Sequence, residues 1–170
     1  MVDAIDGIVF DMDGTLVRFN IDYTAIRADI IERLGQMGFN RSDFSVNDGM
    51  FKIIEKTRQA AVGLMNANQG EIRKVVFEIA DEYEMASAPR TELIPGARTV
   101  LRQIRKKGIR LAICTIRGLR STEFLLKRRR IFGFFDAIVT RDEAPQVKPH
   151  PSHLKLVLEQ LDLPPSRVIL

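Results

Sequence analysis

The sequence has a single cysteine, Cys114, so a disulfide within the chain is impossible, which is typical of a reducing compartment. No apolar stretch approaches the ~20 residues that span a bilayer. The first ten residues, MVDAIDGIVF, carry acids and no basic segment ahead of the apolar run, so they do not predict a signal peptide. These absences predict a soluble, cytoplasmic protein without a membrane partner.

Charge is unevenly spread along the chain. The net charge is +4 over 170 residues, yet residues 102–130 hold eleven Lys or Arg and one acid, Glu123. Phe124 is the one aromatic residue in this basic segment, which argues against a base-stacking platform. We therefore expect solvated helix faces, or a flank that steers an anionic substrate, and no nucleic-acid partner.

The first ninety residues predict one strand followed by helices. Residues 5–10 are short, largely apolar and β-branched, and with the Asp-Gly-Thr turn behind them they predict a buried strand. Apolar residues then recur at helical spacing in three groups: Ile26, Ile30, Leu34 and Met37; Phe51, Ile54, Leu64 and Met65; Ile72, Val75, Val76, Ile79 and Tyr83. Residues 18–92 are therefore predicted to be an all-helical insertion.

From residue 93 onward, strands alternate with helices. Pro95 and Gly96 open a helix that places three apolar residues on one face: Val100, Leu101 and Ile104. Further segments follow in alternation: strand 109–114, helix 121–130, strand 137–140, helix 151–161 and a strand from Arg167. This pattern predicts an α/β fold with a parallel sheet, whose core is formed by residues 1–17 and 93–170.

Polar residues follow three of these segments where ligands of parallel sheets bind. They are Asp11 and Asp13 after the first strand, Thr115 after the second, and Lys148 before the last helix. Residues i and i+2 of a strand face the same side, so Asp11 and Asp13 can share one site while Met12 points away. Two carboxylates this close repel, which predicts a positive group between them or a reaction that uses them.

Phosphate monoester hydrolysis would use such a set. It needs charge neutralisation, an in-line nucleophile and a proton donor for the leaving oxygen. Asp11 would attack and form an aspartyl-phosphate, and Asp13 would protonate the leaving group and then activate water. Mg²⁺, a hard cation, would remove the repulsion between the carboxylates. The Thr115 hydroxyl and the Lys148 charge would bind phosphoryl oxygens.

Three motifs in order, FDMDGTL, ICT and VKPHP, resemble motifs one to three of the haloacid dehalogenase superfamily. The resemblance covers nearly the whole chain. It is closest to the phosphoglycolate phosphatase-like branch, whose helical cap is inserted between motifs one and two, and residues 18–92 are similar to that cap. The resemblance implies a Rossmann-like core and a Mg²⁺-dependent phosphatase that acts on a small organic phosphate ester.

The same resemblance implies roles for individual residues. The Asp11 carboxylate and the Asp13 backbone carbonyl would hold Mg²⁺. The phosphate would be bound by four residues: Gly14, Thr115, Ile116 and Lys148. Arg117 would contact the phosphate or the cap, or else be solvated.

Other interpretations are weaker or stay open. Dehalogenases of the superfamily typically lack the second aspartate, so Asp13 argues against one, whereas a phosphosugar mutase stays open. A calcium loop would need Gly at its sixth position, where Leu16 stands. Cys114 is predicted to be a buried strand residue. His150 and His153 are predicted to be surface residues at a helix start.

The fourth motif of the superfamily is missing from the sequence. Its metal-binding acid would come two or three residues after Leu170, and Asp142 and Glu143, which follow an outer strand, are not expected to replace it. We therefore expect weakened Mg²⁺ binding and a truncated product of a longer enzyme, with a non-catalytic phosphate-binding module as the alternative. An uncovered last strand would favour association, so a homo-oligomer is left open.

Overall fold

The computed structural model describes residues 5–61 and 69–170. The elements in chain order are β1 (Gly7–Phe10), α1 (Tyr23–Gln36), α2 (Met50–Ala61), α3 (Gln69–Ser87), α4 (Ala97–Lys106), β2 (Arg110–Cys114), α5 (Leu119–Arg128), β3 (Ala137–Val139), α6 (Pro151–Leu161) and β4 (Val168–Ile169). The chain divides into two compact units, one running up to Asn20 and again from Met85 to Leu170, the other comprising Ile21–Glu84.

The strands lie in the first unit and form a parallel sheet. Within the described residues its order is β3-β2-β1-β4, and every pairing is parallel. The register pairs Phe10 with Ile113 and Cys114 with Val139, so β1, β2 and β3 end at one edge of the sheet. Crossovers between parallel strands require intervening helices, which α5 and α6 supply. The predicted α/β fold is therefore confirmed.

Alternation along the strands separates two apolar layers. On one face, α4 and α5 pack with Ile8, Phe10, Leu111, Ile113 and Ile138. On the other face, α6 packs with Val9, Ala112, Cys114, Ala137 and Val139. Successive strand residues point to opposite faces, so a sheet covered on both sides has apolar residues at nearly every position. Met12, just past β1, is fully buried in the first layer, which leaves the neighbouring carboxylates on the other side.

The second unit is helical in the residues that the structure describes. Its apolar cluster takes Ile26, Ile30 and Leu34 from α1, Ile53 from α2, and Ile72 and Val76 from α3. Asp22 caps α1 by accepting from the backbone N–H groups of Thr24 and Ala25. Leu64 and Met65, which we assigned to the second helix, lie outside the described residues. The assignment of residues 18–92 as a cap stays a prediction.

Some expected boundaries and faces differ from the structure. β1 begins at Gly7 rather than residue 5, and α5 spans Leu119–Arg128 rather than 121–130. Val100, which we grouped with Leu101 and Ile104 on one face of α4, is 47% exposed, while Leu101 is fully buried. Helical spacing places both positions near the apolar stripe, and only packing against the sheet decides which one is covered. No helix in the described part of the chain is long and apolar enough to cross a bilayer.

The packing of α5 on the sheet predicts that truncating a buried leucine of this helix leaves a cavity and lowers the stability strongly. Leu125 is fully buried, whereas Leu119 on the same helix is 37% exposed. We expect Leu125→Ala to lower the free energy of unfolding by about 2–5 kcal/mol, and Leu119→Ala to lower it by less than about 1 kcal/mol. Urea denaturation of the two variants beside the unaltered chain measures this. Equal losses in both variants would contradict the described packing.

Candidate active site

Asp11 lies at the carboxyl end of β1 and contacts a lysine from a distant part of the chain. Lys148 Nζ donates to Asp11 Oδ1 at 2.7 Å. The Asp11 side chain is 44% exposed and that of Lys148 is 29% exposed. A charge-assisted contact of this kind orients the carboxylate while leaving it open to solvent. Asp11 is therefore an accessible carboxylate with a cation beside it.

Asp13 has a different environment, because Arg117 holds both of its carboxylate oxygens. Arg117 Nε donates to Oδ2 at 3.1 Å, and Nη2 donates to Oδ1 at 3.0 Å. The side chain of Arg117 is fully buried and that of Asp13 is 9% exposed. Two parallel hydrogen bonds fix the plane of the carboxylate as well as its position. Two residues apart in sequence, Asp11 and Asp13 are thus divided into an open and an enclosed carboxylate.

A tight turn carries Asp13 and Gly14 away from β1. The Met12 carbonyl accepts from the backbone N–H groups of Leu16 (2.9 Å) and Val17 (3.1 Å), and Gly14 N–H donates to the Val17 carbonyl (2.8 Å). Gly14 has a φ of +83°, a conformation that other residues adopt at a cost. No described protein atom lies within 4 Å of where a Cβ would stand on Gly14. Space is therefore open beside the backbone at this point, and the role of Gly14 in phosphate binding stays a prediction.

Thr115 and Ile116 follow β2 at the same edge of the sheet. Thr115 is buried, its N–H donates to the Val139 carbonyl at 3.0 Å, and its Oγ1 accepts from Arg117 N–H at 3.2 Å. A hydroxyl that accepts one hydrogen bond can also donate its own proton. The Ile116 carbonyl accepts from Arg141 Nη1 at 3.1 Å, which anchors the loop after β2.

The two histidines near Lys148 have different positions. His150 is exposed and caps α6, its Nδ1 accepting from Ser152 N–H at 3.2 Å, as expected for a residue at a helix start. The expectation that His153 is a surface residue is wrong, because its side chain is fully buried. Its Nδ1 accepts from the backbone N–H of Lys148 at 3.2 Å. Desolvation is the main cause that lowers the pKa of His153, and the Lys148 charge acts in the same direction.

The other side chains that we considered from the sequence are structural. Cys114 is buried, as predicted, and burial raises the pKa of its thiol to about 11, so it is protonated at neutral pH. Asp142 accepts from the N–H of Leu119 at the start of α5 (2.6 Å). Glu143 accepts from both the N–H (2.8 Å) and the hydroxyl (2.6 Å) of Thr140. Both acids therefore stabilise loops at this edge.

The candidate metal site offers few protein ligands. Among the described residues, no group of three or more His, Cys, Asp or Glu side chains is arranged to hold an ion. Asp11 has an exposed carboxylate, and the Asp13 carboxylate is engaged by Arg117, which leaves the Asp13 main-chain carbonyl for a metal. Mg²⁺ commonly takes one or two carboxylates, with waters and substrate phosphate completing its shell. The donor set therefore fits Mg²⁺ with a small protein contribution.

Most of the predicted site residues meet at one edge of the sheet. The structure joins Lys148 to Asp11 across 137 positions of the chain and Arg117 to Asp13 across 104. Sequence reasoning missed two buried side chains beside them, Arg141 and His153. For His153 a signal was available, because it shares a four-residue spacing with Val157 and Leu161, the other buried residues of α6.

Comparison with known proteins identifies the family. The sequence pattern of the haloacid dehalogenase-like hydrolases matches residues 5–170. The chain belongs to that family, and it is a hydrolase of the class that the three motifs indicated.

The individual relatives have low sequence identity to this chain. A phosphoglycolate phosphatase of Cereibacter sphaeroides is 28% identical over 159 residues, which are 92% of this chain and 72% of the relative. The pyrophosphatase PpaX of Bacillus cereus is 26% identical over 173 residues, covering 98% of this chain and 73% of the relative. Among solved structures, CbbY from Rhodobacter sphaeroides in complex with phosphate has a TM-score of 0.61 at 24% identity, covering 96% of this chain and 76% of that one. The last similarity concerns the fold.

The Arg117–Asp13 ion pair predicts that removing one partner lowers the free energy of unfolding more than removing both. Arg117→Met would leave the 9%-exposed Asp13 carboxylate without its guanidinium. We expect it to lower the free energy of unfolding by about 3–5 kcal/mol, and Arg117→Met/Asp13→Leu to recover much of that loss. Arg120→Met, at an exposed position of α5, is the control and should change the value by less than about 0.5 kcal/mol. Similar losses for the two arginine variants in chemical denaturation would argue against a buried pair.

Proposed function

We propose that this chain is a Mg²⁺-dependent phosphatase that hydrolyses a small organic phosphate monoester through an aspartyl-phosphate. The observation that carries the proposal is the half-exposed Asp11 carboxylate, held by Lys148 at the carboxyl end of β1. Membership of a hydrolase family supports it, as do relatives named phosphoglycolate phosphatase.

Asp11 is the proposed nucleophile. Its Oδ1 accepts from Lys148 Nζ, which leaves Oδ2 as the oxygen that would attack the phosphorus atom. Attack forms a bond between that oxygen and phosphorus, and the bond to the leaving oxygen breaks. Water then cleaves the aspartyl-phosphate and regenerates the carboxylate. Lys148 stays beside the reacting oxygens and offsets the negative charge that gathers there.

Asp13 is the proposed acid and base. In the described arrangement both of its oxygens accept hydrogen bonds from Arg117. To act as the acid, Asp13 would have to give up at least one of these bonds and be protonated on the freed oxygen, whose proton then passes to the leaving oxygen. In this proposal Arg117 orients Asp13 before substrate binds, and it does not bind phosphate in that state.

The phosphoryl oxygens would be bound by groups at the same edge. The Thr115 hydroxyl would donate its proton, the Lys148 ammonium would supply charge, and the open space at Gly14 would admit the phosphoryl group, with Ile116 as a further proposed contact. When bound to the Asp11 carboxylate and the Asp13 carbonyl, Mg²⁺ would supply charge neutralisation for the phosphate dianion. These contacts recognise a phosphoryl group without identifying the alcohol attached to it.

We expect Asp11→Asn to reduce Mg²⁺-dependent phosphate release by more than about 10³-fold, because an amide cannot form the aspartyl-phosphate. Release of inorganic phosphate from an aryl phosphate, with Mg²⁺ and with a chelator, measures this. Glu159→Gln, which also replaces a carboxylate by an amide but at an exposed position of α6, is the matched control and should leave the rate unaltered. Full activity in Asp11→Asn would exclude Asp11 as the nucleophile.

The same assay separates the substrate classes suggested by the relatives. Phosphoglycolate and pyrophosphate should be compared at equal concentration, because one relative is named for each. A higher kcat/KM for phosphoglycolate supports the monoester assignment, and a higher value for pyrophosphate would contradict it. Binding of a phosphate analogue by a folded chain that shows no turnover would favour a non-catalytic phosphate-binding module.

A further inference from the structure

We propose that neutral His153 is a positioning residue for the candidate active site, because its Nδ1 fixes the backbone of Lys148 and thereby the ammonium that contacts Asp11. The chain of contacts is short. Lys148 N–H donates to His153 Nδ1 at 3.2 Å, and Lys148 Nζ donates to Asp11 Oδ1 at 2.7 Å. The kinetic part of this proposal rests on the proposed function, whereas the contact itself does not.

The position of His153 allows little adjustment. It lies in the first turn of α6 with its side chain fully buried, and α6 packs against β2 and β3. The residues between Lys148 and α6 are few, so an acceptor anchored in the helix limits where the Lys148 backbone can lie. Lys148 is partly exposed and its long side chain has many rotamers, so a fixed backbone removes part of the entropy cost of placing the ammonium on Asp11.

The contact requires a neutral imidazole. A neutral ring has one nitrogen that accepts and one that donates, and here Nδ1 accepts, so the proton is on Nε2. A protonated ring donates from both nitrogens and cannot accept the Lys148 N–H. Protonation of the ring should therefore break this contact.

The surroundings favour the neutral ring on balance. Desolvation lowers the pKa of His153, and Lys148 acts in the same direction; Glu143 and the carbonyls of Val139 and Thr140 at the end of β3 oppose them. From β2, the titratable residue in the layer under α6 is Cys114, whose pKa of about 11 leaves it uncharged. On α6 itself, His150 is exposed at the N-cap, and the positive end of the helix disfavours another cation.

The first experiment follows the contact directly by NMR. The chain has two histidines, so His150→Asn, which keeps a good N-cap residue, leaves His153 as the one titrating imidazole. The His153 ring and the Lys148 amide are followed from about pH 8 to about pH 5. We expect the amide shift to move with the same midpoint as the ring, below the midpoint of an exposed histidine. If the Lys148 amide shift stayed constant while the His153 ring was protonated, the proposal would be overturned.

The second experiment measures phosphate release in two variants. His153→Asn places an oxygen acceptor near the position of Nδ1 and cannot be protonated, whereas His153→Leu removes the acceptor and keeps the volume. We expect His153→Leu to lower kcat/KM by about 10- to 100-fold and His153→Asn to restore most of it. The pH profile of His153→Asn should lack the inflection that belongs to the ring in the unaltered chain. His150→Asn serves as the control and should keep that inflection.

A double variant tests whether His153 acts through Lys148. If it does, His153→Leu added to Lys148→Met should cost less than about 2-fold beyond Lys148→Met alone. Independent losses that multiply in the double variant would overturn the proposal. If the unaltered chain released no phosphate with Mg²⁺, the proposed function would fall, and the amide titration would still decide whether His153 positions Lys148.

Discussion

The parallel sheet imposes one electrostatic constraint on which the site depends: it gathers carboxylates at an edge where each needs a cation. β1 delivers Asp11 and Asp13 to that edge two residues apart, and close like charges must be compensated. The compensation comes from segments more than a hundred positions away, Lys148 before α6 and Arg117 after β2. Both segments reach the edge because parallel strands point the same way and their helices return the chain to the opposite edge. The crossovers that build the core therefore also bring the charges together.

The two ion pairs differ in solvent access, and that difference separates the proposed roles. Lys148 makes a single contact with a carboxylate that stays half exposed, which suits a group that must meet a substrate. Arg117 encloses the other carboxylate from the interior with two hydrogen bonds, which suits a group that must be held in one orientation. An enclosed pair costs desolvation, and that cost is recovered only when the geometry is good and the remaining donors are bonded. Identical residue types thus acquire different chemistry from their surroundings alone.

Prediction from the sequence was strongest where a repeating pattern encodes the structure. Apolar spacing indicated α1, the predicted helix 151–161 coincides with α6, and short apolar runs located β2 and β3, because these patterns report which face is buried. The placement of Arg117 on Asp13 has no such signal, since it depends on how the loop after β2 approaches the turn after β1. His153 was missed for another reason. Its spacing with buried apolar residues could be read from the sequence, but a histidine beside a proline-rich helix start suggested a solvent-exposed position.

The balance of charge at this edge explains why a divalent cation belongs to the proposed chemistry. The two ion pairs are neutral together. A phosphate monoester brings two negative charges into this neutral set, and the partly enclosed edge screens them less than water does. Lys148 already faces a carboxylate, and Arg117 is committed to another, so neither offers an uncompensated charge. In the proposed mechanism, a divalent ion held by the exposed Asp11 carboxylate would restore neutrality without breaking either pair.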